Sequence, residues 1–340
     1  MKRKASWGAI MIVGIFSTFL GSAAKGEAEG EERAARGVPV ILDTDIGDDI
    51  DDSWALAMLL KCPEFDVKLI TTTNGKAEYR AKLIAKMLAA AGRTDIPIGL
   101  GAGDLGGGGA VDDWVRDYRL SDYPGTIRQN GVQALVDTVN ALADKKQKPI
   151  VLAIGPLHTL EAALKLDPDI AAKADFVGMH GSVRKGYNND PQPCVEFNMT
   201  YVPGAKKVFA APWRSAAITP LDTCGLVKLD GAPFAKLKAS DDPTVKALLE
   251  SYRVWAKKKS IDDLNESSVL FDTAAVYLAG REKPLLELES LSIGVTDQGM
   301  TVVLDPEGGS MRVATNWQDL AAYREHLVKV LLSPTVKAVP

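Results

Sequence analysis

The sequence predicts an α/β protein with an open, mostly parallel sheet covered by helices on both faces. Three observations predict it. Short apolar runs rich in β-branched residues recur along the chain, each followed by a helical stretch. The runs are apolar at consecutive positions, as strands buried on both faces should be. Glycines, histidines and acidic residues gather directly after them, at the carboxyl ends where such sheets bind ligands.

In chain order, Val38-Pro39-Val40-Ile41-Leu42 predicts the first strand, stopped by Asp43. An Ala- and Leu-rich helix is expected over 53–61. The alternation continues with a strand over 65–72, a helix over 78–91, a strand over 96–100 and a helix over 132–145. A strand over 150–154, a helix over 160–166 and a strand over 176–179 follow. Later, strands are expected over 291–295 and 300–304 and a helix over 317–332. Gly101 to Gly109 lacks the spacing of a phosphate cradle and reads as a flexible loop beside a site. The turn after Asp43, residues 71–76, Gly155-Pro156 and His180-Gly181 all follow strands, so these loops should converge. No internal repeat is present, and one domain over 37–335 is expected.

The N-terminus, Met1-Lys2-Arg3-Lys4, then an apolar run over 7–20, then Ser22-Ala23-Ala24, has the form of a secretory signal over 1–24. The run is shorter than the ~20 residues of a spanning helix, and no cysteine follows for a lipid anchor. Residues 25–36 are small and charged and read as a linker. An exported, periplasmic or extracellular protein without a membrane span in its mature form is expected. Losing Lys2, Arg3 and Lys4 takes the net charge from -4 to -7, which disfavours nucleic acid as a partner. Cys62, Cys194 and Cys224 show no CxxC spacing, so neither a disulfide framework nor a zinc site is indicated. Assembly as a homo-oligomer stays open.

The richest chemistry lies in Asp43-Thr44-Asp45-Ile46-Gly47-Asp48-Asp49-Ile50-Asp51-Asp52. So many carboxylates between an apolar strand and an apolar helix repel one another unless a cation intervenes. Oxygen-only donors favour Ca²⁺, with Mg²⁺ the alternative. An EF-hand loop needs glycine at its sixth position and glutamate at its twelfth; here these are Asp48 and Trp54. A phosphatase of the haloacid dehalogenase type would use Asp43 as nucleophile, but Gly47 stands where that family has Thr or Val. Asp49 can also be read as a helix cap, with Asp52 three residues on, and Asp272 as the cap of a later helix.

The turn resembles the DTDxGxDD signature of the inosine-uridine nucleoside hydrolases. Four later blocks match in order: Ile154-Gly155-Pro156-Leu157-His158, Met179-His180-Gly181, Glu196-Phe197-Asn198 and Phe271-Asp272. The resemblance spans most of the chain and implies a Rossmann-like core and an N-glycosyl hydrolase. In that family Ca²⁺ holds a water and the ribose hydroxyls, and a carboxylate on the metal takes the proton as water attacks C1′. By position, Asp45 matches the metal-bound general base. Asp52 and Asp272 match the other metal carboxylates, and His158 matches a ligand that binds through its backbone carbonyl. Asp51, Glu196 and Asn198 match sugar-binding groups, and Asn188 from the preceding loop joins them as a candidate.

Three departures stand out. Two extra residues precede Asp51-Asp52, so Asp48 or Asp49 can take a metal or sugar role. Lys76 replaces a neutral amide and is a candidate substrate contact. Phe271 stands where inosine-uridine enzymes carry a histidine acid for the leaving base; with Tyr252 and Trp255 it can instead form an aromatic wall. The substrate implied is a nucleoside or related ribosyl compound. A metal-dependent ribose-binding protein without catalysis is the main alternative, and a Mg²⁺ phosphatase a further one.

Overall fold

The computed structural model describes residues 37–104, 106, 109–280, 282–304 and 311–337. The expected signal and linker, 1–36, lie outside the described residues. The described elements are β1 (Val38–Thr44), α1 (Asp51–Lys61), β2 (Phe65–Thr72), α2 (Ala77–Ala91), β3 (Ile98–Gly99), α3 (Asp112–Val115), β4 (Ile127–Arg128), α4 (Gly131–Asp144) and β5 (Ile150–Ala153). Then come α5 (His158–Leu166), α6 (Ile170–Lys173), β6 (Asp175–Gly178), α7 (Val202–Phe209), β7 (Ser215–Ile218), α8 (Leu221–Cys224), α9 (Gly231–Lys238), α10 (Pro243–Trp255) and α11 (Phe271–Ala279). The last are β8 (Leu286–Leu291), β9 (Ile293–Val295), β10 (Thr301–Val303), β11 (Met311–Trp317) and α12 (Leu320–Leu331).

Nine strands form one sheet in the order β4-β3-β2-β1-β5-β6-β7-β11-β8. All neighbours run parallel except β8, which pairs antiparallel with β11. The predicted open, mostly parallel α/β sheet is present. Because β1 is flanked by β2 on one side and β5 on the other, the winding reverses there. A crevice opens at the carboxyl ends of β1 and β5, where sheets of this kind hold their ligands.

Alternation along β1 explains the two cores. Val40 and Leu42 face one hydrophobic cluster, with Trp54 of α1, Ile84 of α2, Leu248 of α10, Val276 of α11 and Leu327 of α12. Ile41 faces the other, with Leu135 of α4, Leu160 of α5 and Val208 of α7. Strands covered on both sides must be apolar at every position, as this one is. Each such fully buried aliphatic side chain contributes about 2 kcal/mol. Every residue of α1 is buried, so even Lys61 is enclosed, its ammonium paired with Asp242 at 2.8 Å and donating to Ser333 O at 2.6 Å.

Several expectations need correction. The strand expected over 96–100 narrows to Ile98–Gly99. That over 291–295 is two strands, β8 ending at Leu291 and β9 beginning at Ile293, with β9 and β10 forming a separate hairpin. The helix expected from 317 starts at Leu320, because Trp317 still belongs to β11 and Asp319 caps the helix by accepting from Ala322 N–H. β7, β8 and β11 lie near the sheet edge, and their mixed sequences give weaker signals than the all-apolar central strands. Among the described residues no helix is long and apolar enough to cross a membrane.

Candidate active site

The turn after β1 delivers its carboxylates to the crevice because α1 begins at Asp51. Its N-cap is Ile50, without a side-chain cap, while Asp49 Oδ1 accepts from Ile50 N–H at 2.7 Å. The capping-box reading of Asp49 and Asp52 is therefore wrong. Asp51 and Asp52 instead occupy the first helical turn, where the helix dipole favours negative charge. Asp272 is likewise no cap: Leu270 holds that place, and Asp272 sits in the first turn of α11.

Carboxylate oxygens of Asp51, Asp52 and Asp272 lie within 4.8 Å of one another, all buried. Thr44 Oγ1 donates to Asp52. Burial, with mutual repulsion, pushes all three carboxyls well above the usual range. Such a cluster is costly without positive charge, and its donor set is oxygen only. The residues fit a hard divalent cation. Asp45, expected to be a ligand, lines the same cavity beside this trio, while Asp51, expected on the sugar, joins the trio itself.

Asp45 is only 5% exposed. Asn74 Nδ2 donates to its Oδ2 at 3.1 Å, and burial raises its pKa to about 6 against the pull of Arg80 and Asn74. Gly155 passes so closely that a Cβ there would stand 2.6 Å from Asp45 Oδ1. Asp43 is elsewhere: fully buried, with Oδ1 accepting from Thr71 Oγ1 at 2.6 Å, it does not line the cavity. A phosphatase nucleophile must be reachable, so that reading is excluded.

The cavity encloses about 410 Å³ and is lined by Asp45, Asp48, Asp49, Asp51, Asp52 and Asp272, by Glu196 and Asn198, and by Ile154, Met179, Tyr187, Phe197, Trp255 and Phe271. Glu196 is held by Gly181 N–H at 3.0 Å and Asn198 N–H at 2.8 Å, and burial raises its carboxyl to about 8. Gly181 has φ +85, a conformation that favours glycine. Asn198 donates to Met179 O at 2.9 Å and Ile154 O at 3.3 Å, so its Oδ1 is left for a ligand.

Three sequence candidates fall outside this lining. His158, expected to act through its backbone carbonyl, opens α5, and its ring stacks on Tyr201 with centroids 3.6 Å apart. Asn188 lies exposed on the turn Tyr187–Asn189 with φ +59. Lys76 pairs with Asp48 at 2.7 Å, so a charge read as a substrate contact is spent within the protein. Tyr252 is also not in the wall; its hydroxyl donates to Glu266 O at 2.9 Å.

Sequence reading missed Arg80. Fully buried, it donates to the carbonyls of Asp45, Ile46, Asn74 and Gly75 and to Asp48 Oδ2 at 2.8 Å. Although burial opposes ionisation of Asp48, Lys76 and Arg80 hold it below its usual value. The inserted Asp48 is thus a brace, and its carbonyl accepts from Trp255 Nε1 at 3.3 Å. Arg80→Met should destabilise the fold by about 3 kcal/mol, since four carbonyls lose their donor and Asp48 its buried partner. A urea midpoint matching that of the unaltered protein would contradict this bracing role. Asn74, also missed, follows the end of β2, and that position was the available signal.

Buried acidic oxygens at the switch point of a parallel sheet, facing an amide and a carboxylate suited to hydroxyl groups, are the arrangement a metal-dependent hydrolase of sugar compounds needs. The family model for inosine-uridine preferring nucleoside hydrolases matches residues 40–331. The chain belongs to that family and is an N-glycosyl hydrolase.

It is 26% identical over 223 residues to a pyrimidine-specific ribonucleoside hydrolase, RihA, of Salmonella agona, across 61% of this chain and 67% of that protein. A protein of the same name from an Enterobacter species is 26% identical over 239 residues, across 65% and 72%. Among solved structures, a plant nucleoside hydrolase superposes with TM-score 0.69 at 23% identity, covering 87% of this chain and 98% of that one. A purine-preferring ribonucleoside hydrolase from Gardnerella vaginalis gives TM-score 0.67 at 19% identity, covering 86% and 98%. These structural likenesses establish the fold.

Proposed function

We propose that the protein is exported and cleaves the N-glycosidic bond of a ribonucleoside or related ribosyl compound in a Ca²⁺-dependent reaction. The observation that carries this reading is the meeting of Asp51 and Asp52 with the distant Asp272 in one cavity that also holds Glu196 and Asn198. Asp45, Asp51, Asp52 and Asp272 would hold the cation, which supplies the positive charge that acidifies a water and orients a ribose diol. Crowded buried carboxylates suit Ca²⁺ with its flexible shell better than Mg²⁺, which keeps several waters.

Asp45 then acts as general base. Burial holds its pKa at about 6 without a cation and a bound cation would lower it, so the carboxylate is ionised and has a lone pair available at neutral pH. Glu196 and Asn198 hold sugar hydroxyls. The surrounding carboxylates stabilise positive charge building at C1′ in an oxocarbenium-like transition state. Phe271 supplies no proton, so the leaving base stacks on Trp255 and Phe271 and is protonated by solvent. Trp255→Ala should therefore lower kcat/KM about tenfold on nucleosides, since it removes stacking and area burial together.

Reducing-sugar release from a panel of purine and pyrimidine ribonucleosides, with and without chelator, tests the activity. Turnover lost to chelator and restored by Ca²⁺ more fully than by Mg²⁺ is expected. Ribose binding without turnover of any nucleoside would instead support a binding protein. The N-terminal pattern supports export; a mature N-terminus at Lys25 in the extracytoplasmic fraction is the result expected, and an uncleaved cytoplasmic chain would refute it.

A further inference from the structure

We propose that Tyr187 is a specificity residue, its phenolic O–H donating to the exocyclic hydroxymethyl oxygen of the ribosyl group. This rests on the ribosyl reading above and adds a contact that the sequence blocks do not contain. The turn Tyr187–Asn189, with Asn188 and Asn189 both at φ +59, places Tyr187 in the cavity lining with 36% of its surface exposed, whereas Asn188 is not part of that lining. The Tyr187 ring packs edge-on against Phe271, with centroids 6.0 Å apart and planes at 82°. Phe197 N–H donates to Tyr187 Oη at 2.9 Å. That bond fixes the oxygen and uses its accepting side, and among the described residues nothing accepts the phenolic proton.

Ribose chemistry assigns the remaining ends of the cavity. With the diol on the carboxylate trio, C1′ toward Asp45 and the base on Trp255, the one polar group left on the sugar is the hydroxymethyl on C4′. Beyond the acidic groups of the 45–52 turn and Asp272, where Asp48 is tied to Lys76 and Arg80 and Asp49 accepts from Ile50 N–H, the polar lining is Glu196, Asn198 and Tyr187. Asn198 has committed its amide hydrogens to Met179 O and Ile154 O and can only accept. Glu196 titrates near 8 and accepts once ionised. A hydroxyl both donates and accepts, and Tyr187 supplies a donor that keeps its proton throughout the working range, since burial and the nearby Glu196 raise its pKa.

The test is Tyr187→Phe, which keeps the ring against Phe271 and removes only the hydroxyl. With the Ca²⁺-loaded full chain, kcat/KM for a ribonucleoside should fall about fivefold, the worth of one neutral hydrogen bond. For the matching 5′-deoxyribonucleoside it should not change. Equal losses on both substrates, or none on either, would overturn the assignment, because a general disturbance of the Phe197 turn affects both alike. Calorimetric titration of the same proteins with the methyl β-D-furanosides of ribose and 5-deoxyribose, both locked in the five-membered ring, decides the matter without turnover. The unaltered protein should prefer the ribose compound, and Tyr187→Phe should lose most of that preference. A nucleoside panel without turnover but with this pattern would sink the hydrolytic reading and keep Tyr187's role; no ribose preference in the unaltered protein would sink the role itself.

Discussion

Asp45→Asn is expected to lower kcat roughly a thousandfold, the usual contribution of a positioned general base, while the chain still folds. The substitution is nearly isosteric, and Arg80 binds the backbone carbonyl of residue 45, which is unchanged. An amide oxygen can still accept from Asn74 Nδ2. What disappears is the lone pair that takes a proton. Removing a buried carboxyl held up at about 6 also relieves repulsion, so the metal-free variant should melt no lower than the parent. The pH profile gives an independent readout. A base must be deprotonated, so activity of the parent rises with pH through an acid limb at or below about 6, lower to the extent that the cation adds positive charge. Asp45→Asn should flatten that limb. A variant that keeps a tenth of the activity, with the limb in place, would move the base elsewhere.

The central sheet and the carboxylate turn were legible because both rest on local signals. An all-apolar strand such as β1 can only be buried on both faces, and acidic residues between it and an apolar helix need a common charge partner. Asp52 and Asp272 can be paired from the sequence because the resemblance links two distant segments. What stayed hidden depends on partners that no local pattern announces. Lys76 looked like a substrate contact because its mate, Asp48, lies across a turn that two inserted residues reshape. Arg80 sits amid Ala and Leu in α2 with nothing to mark its five partners. Tyr252 and Trp255 are three positions apart on α10, yet Trp255 lines the cavity and Tyr252 packs edge-on to Trp54. Small differences in helix orientation decide such cases, and spacing alone does not resolve them.

Removing the cation should change how stability depends on pH, and the sign follows from the raised carboxyls. Asp45 moves from 3.8 to about 6 on folding, and Asp43, Asp51, Asp52 and Asp272 move the same way. Groups whose folded pKa exceeds the unfolded value bind more protons when folded, so stability falls as pH rises from about 4 upward. Asp45 alone contributes a loss on the order of 3 kcal/mol once pH passes 6, because one pKa unit is worth about 1.4 kcal/mol. The chelated protein should therefore melt higher at pH 5 than at pH 8. Calcium reverses this, because it binds the ionised carboxylates and is excluded by their protons. Its stabilisation at a thousandfold excess over Kd is about 4 kcal/mol at pH 8 and should largely vanish at pH 5. Thermal melts at both pH values, with Ca²⁺ and with chelator, measure the four corners directly. If added Ca²⁺ raised Tm equally at pH 5 and pH 8, its site would not be this carboxylate cluster.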